Sequence, residues 1–402
     1  MQINFLMVAG IYPNRRELIV CNNGIGQQSL LMTASKLAVA LEGLLFWGGF
    51  SVEKISATIL SIKPLNEQAM KEAQARLDGL TKPLGSLAVL ESMARQFAGI
   101  MGSSRPALPE KAIVLMAADH GVAAEGVSAF PPEVTEQMVY NFVRGGAGIN
   151  VLARHAGARL ILVDVGVKNS LAPSVPIRHC KIKSGTDNMR LGPAMSREEA
   201  IKAIGVGIDI ANELADQGIS VVALGEMGIG NTTASSAITS VLTGRPVSPV
   251  VGKGTGIAPD FVNHKIQVIA EAIACNNPNP KDAIDVLAKV GGLEIAALAG
   301  VVLGAASRSM LVMLDGFIAS AAVLVAYRIS VAVRPYLMAS HLSEEPGHAA
   351  ILEVLGVKPC LHLNMRLGEG TGAALGMTLL DAAVKIINEM ATFAEAQVAP
   401  AN

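Results

Sequence analysis

Short apolar runs alternate with longer segments of helical periodicity over most of the chain beyond residue 112. This alternation is typical of a parallel sheet whose strands are joined by crossover helices. The sequence therefore predicts an α/β fold with a mostly parallel sheet and flanking helices. The predicted strands are residues 112–118 (AIVLMAA), 159–165 (RLILVDV), 219–224 (ISVVAL), 310–314 (MLVML) and 360–365 (CLHLNM).

A polar or glycine-rich turn follows each predicted strand at once. In open α/β sheets, ligands bind in the crevice outside the carboxyl ends of the strands. We therefore expect these turns to converge on one site. They are residues 119–121, 164–166, 225–226, 315–316 and 368–370.

The helical pattern continues outside the predicted sheet. We expect residues 51–111 and a C-terminal helix in residues 371–402 to form a small helical domain beside an α/β catalytic domain of residues 112–370. Residues 1–50 differ from the rest and form an atypical N-terminal extension. A signal peptide remains an alternative, but the apolar segment 37–50 carries Glu42, so an extension or a misplaced start codon fits better.

Composition excludes several classes of protein. The 402 residues carry a formal net charge of −1, which predicts no nucleic-acid partner. Hydrophobic residues make up 51% of the chain, but it contains no run of about 18 apolar residues, so no membrane span is predicted. The four cysteines are scattered without a Cys-x-x-Cys pair, which argues against a zinc or redox site and favours a cytoplasmic location.

Two glycine-rich loops could bind a phosphate. Gly228 and Gly230 follow a predicted strand and open a helix, whose first N–H groups attract anions. An ordinary strand-to-helix turn explains this pattern equally well. In the second loop, residues 252–256 (GKGTG), Lys253 supplies a cation, and Lys265 follows it; from spacing alone both also fit surface lysines. The candidate cap residues of the first loop are Asn231, Thr232 and Thr233.

One carboxylate lies between glycines, at a position where it would repel a phosphate. Glu369 follows the last predicted strand, so partial burial would raise its pKa and suit it to accept a proton. A glutamate stabilised by the helix dipole is the alternative. Glu226 has the same Gly-Glu placement, and the two carboxylates are predicted to flank the site.

Two further motifs contain possible metal ligands. His341, Glu344, Glu345 and His348 lie within residues 340–348 (SHLSEEPGH), but Pro346 and Gly347 would interrupt a helix that aligned them, which favours a capping turn. Residues 118–122 (ADHGV) could indicate a metallohydrolase, but no second histidine or aspartate motif follows at a recognisable spacing. No metal site is predicted.

Eight long motifs follow one another in a fixed order between about residue 51 and about residue 390. In this order they resemble the nicotinate-nucleotide:dimethylbenzimidazole phosphoribosyltransferase family. The motifs are ARLDGLTKPLGSL (75–87), AADHGVAAEGVSAFPPEVTEQMV (117–139), GGAGINVLARHAGARLILVDVGV (145–167), GEMGIGNTT (225–233), GKGTGI (252–257), LDGFIASAA (314–322), SHLSEEPGH (340–348) and MRLGEGTGAALGM (365–377).

The resemblance implies a Rossmann-like sheet, a small helical domain, a homodimer and no cofactor. It implies transfer of 5-phosphoribose from nicotinate mononucleotide to 5,6-dimethylbenzimidazole, which gives nicotinate and the α-ribazole 5′-phosphate used for the lower ligand of cobalamin. The reaction would be a single displacement with inversion. Glu369 would be the general base, and Glu226 would stabilise the positive charge that develops on the ribose.

The resemblance also implies binding residues. A planar aromatic base needs apolar walls and few polar contacts. The residues implied for the base are Ser128, Phe130, Gln137, Met227 and Leu367. Those implied for the phosphate and ribose are Gly228, Gly230, Asn231, Thr232, Thr233, Gly254, Lys265, Asp315 and Gly316.

Two other functions remain open. The first is an enzyme that uses another base, such as adenine or a phenol. The second is a binding protein for α-ribosides or nicotinate nucleotide without turnover. The presence of Glu226 and Glu369 favours an enzyme, because a binding protein has no need of a base at a strand end.

Overall fold

Six parallel strands form one sheet in the computed structural model, which describes residues 52–399 except 255 and 257. Their order across the sheet is β3-β2-β1-β4-β5-β6, and every neighbouring pair is parallel. The strands are added outward from β1 to β3 on one side and from β4 to β6 on the other. The switch point between β1 and β4 is where a doubly wound sheet binds its ligand. The strands are β1 (Lys111–Ala118), β2 (Arg159–Gly166), β3 (Arg178–His179), β4 (Val221–Met227), β5 (Leu311–Leu314) and β6 (Leu337–Ala339).

Four of the five predicted strands are confirmed as β1, β2, β4 and β5. They are the long apolar runs that the centre of a parallel sheet buries on both faces. The prediction for residues 360–365 is wrong: this segment makes only an isolated bridge from Leu361 to His341, and Asn364 has a φ of +53°, outside the extended region that a strand requires. The short edge strands β3 and β6 were not predicted.

Helices account for most of the remaining described chain. Three precede the sheet, and the others connect its strands or follow it. They are α1 (Val52–Leu60), α2 (Glu67–Asp78), α3 (Val89–Met101), α4 (Val134–Arg144), α5 (Gly148–Ala156), α6 (Arg197–Asp216), α7 (Asn231–Thr243), α8 (Pro259–Asn276), α9 (Ala283–Val290), α10 (Leu293–Ser307), α11 (Phe317–Ile329), α12 (Pro346–Leu355), α13 (Thr371–Glu389) and α14 (Phe393–Ala396).

The helices at the two ends of the described chain pack against each other. The Arg76 side chain, on α2, donates hydrogen bonds to the carbonyl oxygens of Ile387 and Met390 at the end of α13, at 2.5 and 3.2 Å. The backbone N–H of Thr81 donates to the Ala391 carbonyl oxygen at 3.0 Å. A separate small domain built from residues 51–111 and 371–402 stays a prediction. The predicted extension, residues 1–50, lies outside the described residues.

Helices α6 and α10 approach each other closely, and glycines make this contact possible. A β-carbon at Gly207 would lie 1.8 Å from the Ala297 carbonyl oxygen, and one at Gly300 would lie 2.0 Å from the Ile204 carbonyl oxygen. The two helix backbones therefore touch directly. Among the described residues, no helix has the length and apolar character needed to cross a membrane.

We predict that Gly207→Ala lowers the free energy of unfolding by about 3 kcal/mol or more, because the new methyl group would meet backbone that cannot rotate away. Urea denaturation of both proteins measures the difference. Gly192→Ala is the control, since a β-carbon there has no heavy atom within 4 Å, and it should change stability by no more than about 0.5 kcal/mol. Equal effects of the two substitutions would refute the proposed backbone contact.

Candidate active site

A cavity of about 720 Å³ is lined by residues at the carboxyl ends of β4 and β5 and by the loop before α13. This volume suits a small-molecule ligand. Three of the five predicted turns contribute to the lining: residues 225–226, 315–316 and 368–370. The turns at 119–121 and 164–166 do not.

Most of the predicted site residues line this cavity. Both predicted catalytic carboxylates, Glu226 and Glu369, belong to it. The predicted phosphate and ribose contacts in the lining are Gly228, Asn231, Thr232, Gly254, Asp315 and Gly316; the predicted base contacts are Phe130, Met227 and Leu367. Five predicted residues lie outside the lining: Gly230, Thr233, Lys265, Ser128 and Gln137. Of these, Gly230, Thr233 and Lys265 are buried.

Glu369 is held by the backbone of a helix that is distant in sequence. Its Oε2 accepts a hydrogen bond of 3.0 Å from the backbone N–H of Ile149, in the first turn of α5. Its backbone has a φ of +61°, between two glycines with φ of +82° and +92°. A side chain rarely adopts this conformation, which costs about 1–2 kcal/mol. Burial raises the pKa of Glu369, the Ile149 N–H lowers it by less, and the Asp315 carboxylate raises it further.

Glu226 joins the loop of Glu369 to the start of α7. Its Oε1 accepts a hydrogen bond of 3.3 Å from the backbone N–H of Glu369, and its Oε2 accepts one from the Asn231 side chain. Burial, with smaller contributions from the Asp315 and Glu294 carboxylates, raises the pKa of Glu226 to about 8. At neutral pH this carboxyl group is therefore largely protonated.

Asp315 fixes the beginning of α13. Its Oδ1 accepts hydrogen bonds from the backbone N–H groups of Gly372 and Ala373 at 2.7 and 3.1 Å, and its Oδ2 accepts one from Gly370 at 3.1 Å. A carboxylate at this position satisfies the free donors of a helix N-terminus and matches its dipole. Burial nevertheless raises the pKa of Asp315.

A buried lysine lies beside the second glycine loop. Lys265 Nζ donates a hydrogen bond of 2.7 Å to Thr232 Oγ1. Burial lowers the pKa of Lys265 to about 8, although the Glu345 carboxylate acts in the opposite direction. Glu345 Oε1 also accepts a hydrogen bond of 2.9 Å from the backbone N–H of Gly254, so the loop and the lysine share one carboxylate. Lys253, the other candidate cation, is exposed.

The predicted capping of α7 is wrong. Its N-cap is Gly230, with a φ of +97°, and no side chain caps the helix. The helix begins at Asn231, whose amide contacts Glu226 instead. A residue type that favours caps therefore orients a carboxylate here.

Several residues in the lining were not predicted as site residues, and the ionisable ones among them are His341, Glu345 and Arg366. Arg366 Nη1 donates a hydrogen bond of 3.1 Å to the Gly254 carbonyl oxygen, across 112 positions of sequence. His341 and Glu345 belong to the motif at 340–348. Recognition of β6, which ends at Ala339, would have placed this motif at a strand end.

The same motif adopts a turn that leads into a helix. Pro346 begins α12 rather than interrupting it, and Glu345 is the N-cap residue, although its side chain does not cap the helix. His348 Nδ1 accepts a hydrogen bond from the Ser343 backbone N–H, so its proton lies on Nε2, which is 2.9 Å from Ser320 Oγ. In the described part of the chain, no three His, Cys, Asp or Glu side chains are grouped to hold a metal ion.

Comparison with known proteins identifies the family. The phosphoribosyltransferase family model matches residues 62–398. A nicotinate-nucleotide–dimethylbenzimidazole phosphoribosyltransferase from Chloroflexus aurantiacus is 54% identical over 347 residues, which cover 86% of this chain and 99% of that protein. The enzyme of this name from Desulforamulus reducens is 52% identical over 345 residues, 86% of this chain and 98% of that protein. The chain belongs to this family.

A solved structure agrees with this assignment. CobT from Thermus thermophilus matches with a TM-score of 0.80 and 45% sequence identity, over 83% of this chain and 100% of that chain. The protein is therefore an enzyme, a phosphoribosyltransferase of the pentosyltransferase class, and the predicted Rossmann-like fold is confirmed.

We predict that Glu226 makes the stability of this phosphoribosyltransferase fall with rising pH. Its pKa is 4.5 ordinarily and about 8 in the folded protein, so between these values the folded state binds more protons than the unfolded state. Stability contributed by the protonated form is therefore lost as pH rises through this window. Glu226→Gln lacks this titration, and its stability relative to the wild type should increase from pH 4.5 to about 8.

Urea unfolding midpoints of the two proteins across this pH range provide the measurement. Glu389→Gln, an exposed substitution at the far end of α13, should show a constant difference from the wild type. A constant difference for Glu226→Gln as well would contradict the raised pKa.

Proposed function

We propose that this enzyme transfers 5-phosphoribose from nicotinate mononucleotide to 5,6-dimethylbenzimidazole, releasing nicotinate and α-ribazole 5′-phosphate for the lower ligand of cobalamin. The names of the relatives support both substrates. The observation that carries the proposal is a single cavity lined by two buried carboxylates, Glu226 and Glu369, with the buried cation Lys265 beside it. Such a site can hold a base, a developing positive charge and a phosphate together.

The proposed general base is Glu369. One nitrogen of the benzimidazole attacks the anomeric carbon of the donor, while Glu369 takes the proton from the other nitrogen. The bond from the anomeric carbon to the nicotinate nitrogen breaks, and its electron pair neutralises the pyridinium ring. Attack from the face opposite the leaving ring inverts the anomeric carbon from β to α.

The contacts of Glu369 support this role. The Ile149 N–H engages Oε2, which leaves Oε1 for the substrate proton. Its raised pKa makes the carboxylate a stronger base than an exposed glutamate, which is the property that proton transfer near neutral pH requires.

Glu226 is proposed to respond to the charge of the donor. Its pKa is about 8 without a neighbouring positive charge, so a neutral carboxyl group predominates at pH 7. A cationic pyridinium ring, or the oxocarbenium-like ribose of the transition state, favours the ionised form when it lies nearby. Donor binding would then release a proton from Glu226 and leave a carboxylate where positive charge develops.

The phosphate is proposed to bind between Lys265, Gly254 and the start of α7. Residues 228–232 supply backbone close to the cavity, and Lys265 supplies the charge. The flat base is proposed to lie against Met227, Phe130 and Leu367. Phe130 and Leu367 are 52% and 60% exposed, which gives apolar surface for an aromatic ring. The contacts of Ser128 and Gln137 with the base stay predictions from the family resemblance.

The homodimer is also proposed from the family resemblance, and the cytoplasmic location from the scattered cysteines. Neither affects the chemistry assigned to the residues above. Sedimentation equilibrium of the purified protein measures the first.

We predict that Glu369→Gln lowers kcat by ~10²–10⁴-fold with nicotinate mononucleotide and dimethylbenzimidazole, because it removes the proton acceptor and keeps the shape. Chromatography of the two products measures turnover, and calorimetry measures donor binding, which should persist. Glu389→Gln is the matched control at the other end of α13 and should behave as the wild type. Near-normal turnover by Glu369→Gln would exclude it as the base; no product from the wild type would refute the proposed substrates.

We predict that Lys265→Met weakens donor binding by about 10- to 100-fold, the factor expected for the loss of a charged hydrogen bond to the phosphate. Binding of dimethylbenzimidazole, which has no phosphate, should not change. Lys253→Met, in the neighbouring loop, is the control because its side chain is exposed. Donor affinity of the wild type should also fall as pH rises beyond about 8, where Lys265 loses its charge. Equal weakening by both substitutions would contradict the assignment.

A further inference from the structure

A buried ion pair lies outside the cavity and has no part in the mechanism above. His120 follows β1, and Glu294 lies in the first turn of α10. The His120 Nε2 and the Glu294 Oε1 are 2.7 Å apart, and the two side chains are 1% and 0% exposed. Burying a pair of charges costs free energy unless the geometry compensates. Such a pair calls for an explanation beyond packing.

The His120 ring fills the space behind the first glycine loop. A β-carbon at Gly228 would lie 3.2 Å from both Cδ2 and Nε2 of the ring, and one at Gly230 would lie 3.3 Å from the His120 Cβ. On the other side, a β-carbon at Gly292 would lie 2.3 Å from the ring Cε1. The ring is therefore enclosed between the glycine loop and the start of α10.

The loop that rests on this ring forms part of the cavity wall. Gly228 and Ile229 line the cavity, whereas His120 and Glu294 do not. The Ile229 N–H donates a hydrogen bond of 3.1 Å to Thr135 Oγ1, which gives the loop one further fixed point. Displacement of the ring would therefore move the cavity wall next to Glu226.

Two carboxylates act on the His120 ring. Burial lowers the pKa of His120, but Glu294, with a smaller contribution from Asp119, raises it by more. Asp119 itself accepts a hydrogen bond of 2.7 Å from the Lys168 backbone N–H. The Glu294 carboxylate therefore favours the protonated ring, whose Nε2–H points to Glu294 Oε1.

The pair is also the main polar contact that each side chain makes. Within the described part of the chain, His120 Nδ1 and Glu294 Oε2 are buried without a hydrogen-bond partner. Loss of either residue would therefore leave the other buried without a polar partner.

We propose that His120 and Glu294 are positioning residues: the His120 ring supports residues 228–230 against the cavity, and the Glu294 carboxylate holds that ring in place through its contact with Nε2. The role of support does not depend on the reaction. The consequence for catalysis rests on the proposed function.

The two roles are separable by substitution. His120→Ala removes the ring, whereas Glu294→Gln keeps the shape and a hydrogen bond to His120 but removes the charge. Phe97→Ala in α3 is the control for loss of a buried ring, and Glu91→Gln is the control for loss of a buried charge. Phe97 is fully buried, and Glu91 pairs with Lys82 at 2.9 Å; neither lines the cavity.

Hydrogen–deuterium exchange of a peptide covering residues 225–233 tests the support. Exchange in His120→Ala should be roughly tenfold faster or more, the factor for losing a buried hydrogen bond to a charged group, while Phe97→Ala leaves it unchanged. If His120→Ala does not fold, His120→Gln provides the same comparison. Exchange no faster than in the Phe97→Ala control would overturn the support.

Glu294→Gln tests the hold on the ring in the same exchange experiment. Loss of the charged partner weakens the hydrogen bond to His120, so exchange of residues 225–233 should become faster, but by less than in His120→Ala. Exchange in Glu91→Gln should match the wild type. Exchange in Glu294→Gln no faster than in Glu91→Gln would overturn the role of Glu294.

The kinetic consequence is tested last. His120→Ala should lower kcat/KM roughly tenfold more than Phe97→Ala, because only the first substitution releases the cavity wall at Gly228. An active wild type with equal kcat/KM in the two variants would overturn the catalytic part of the inference alone. An inactive wild type would refute the proposed function, and the exchange experiments would still decide the roles of both residues.

Discussion

The hydrogen bonds from the start of α13 to the Asp315 carboxylate hold the candidate active site together. They join the end of the buried strand β5 to the first turn of a buried helix. Glu369 precedes that turn in a left-handed conformation which its own side chain disfavours. Because three N–H groups are satisfied by one carboxylate, the turn is stabilised in the shape that directs Glu369 into the cavity. The position of the proposed base thus depends on an acid that follows a different strand.

Three carboxyl groups close together determine which ligand charges the candidate site favours. Burial raises the pKa of Glu226, Asp315 and Glu369, and each also experiences the charge of another group. An additional negative charge among them would be costly, whereas a cationic ring would be stabilised. The phosphate of the proposed donor would therefore need a separate place, and the proposed one is beside Lys265 and the loop around Gly254, where a buried cation lies. In this proposal, different loops at the edge of the sheet bind the positive and the negative parts of one substrate.

The sequence predicted the parts of the fold that rest on local patterns. The four central strands are continuous apolar runs, and Glu226 follows such a run directly. The two- and three-residue edge strands carry no such signal. The alternation of apolar and polar residues at 360–365 led to a wrong strand prediction. Asn364 leaves the extended conformation, and within this segment only Leu361 forms a β-bridge. Arg366 and Glu345 could not be found locally, because their contacts with the loop at Gly254 join segments about a hundred residues apart.

The predicted contact of Asp315 with ribose can be weighed against its structural role. A carboxylate oxygen has two lone pairs. Oδ1 accepts two backbone N–H groups of α13 and Oδ2 accepts that of Gly370, while the Gly316 N–H also bonds this carboxylate. Most of its capacity is therefore used by the protein itself. In the proposed function a ribose hydroxyl would approach the same carboxylate that orients Glu369. The hydrogen bonds to the start of α13, rather than charge alone, account for an aspartate at the end of β5.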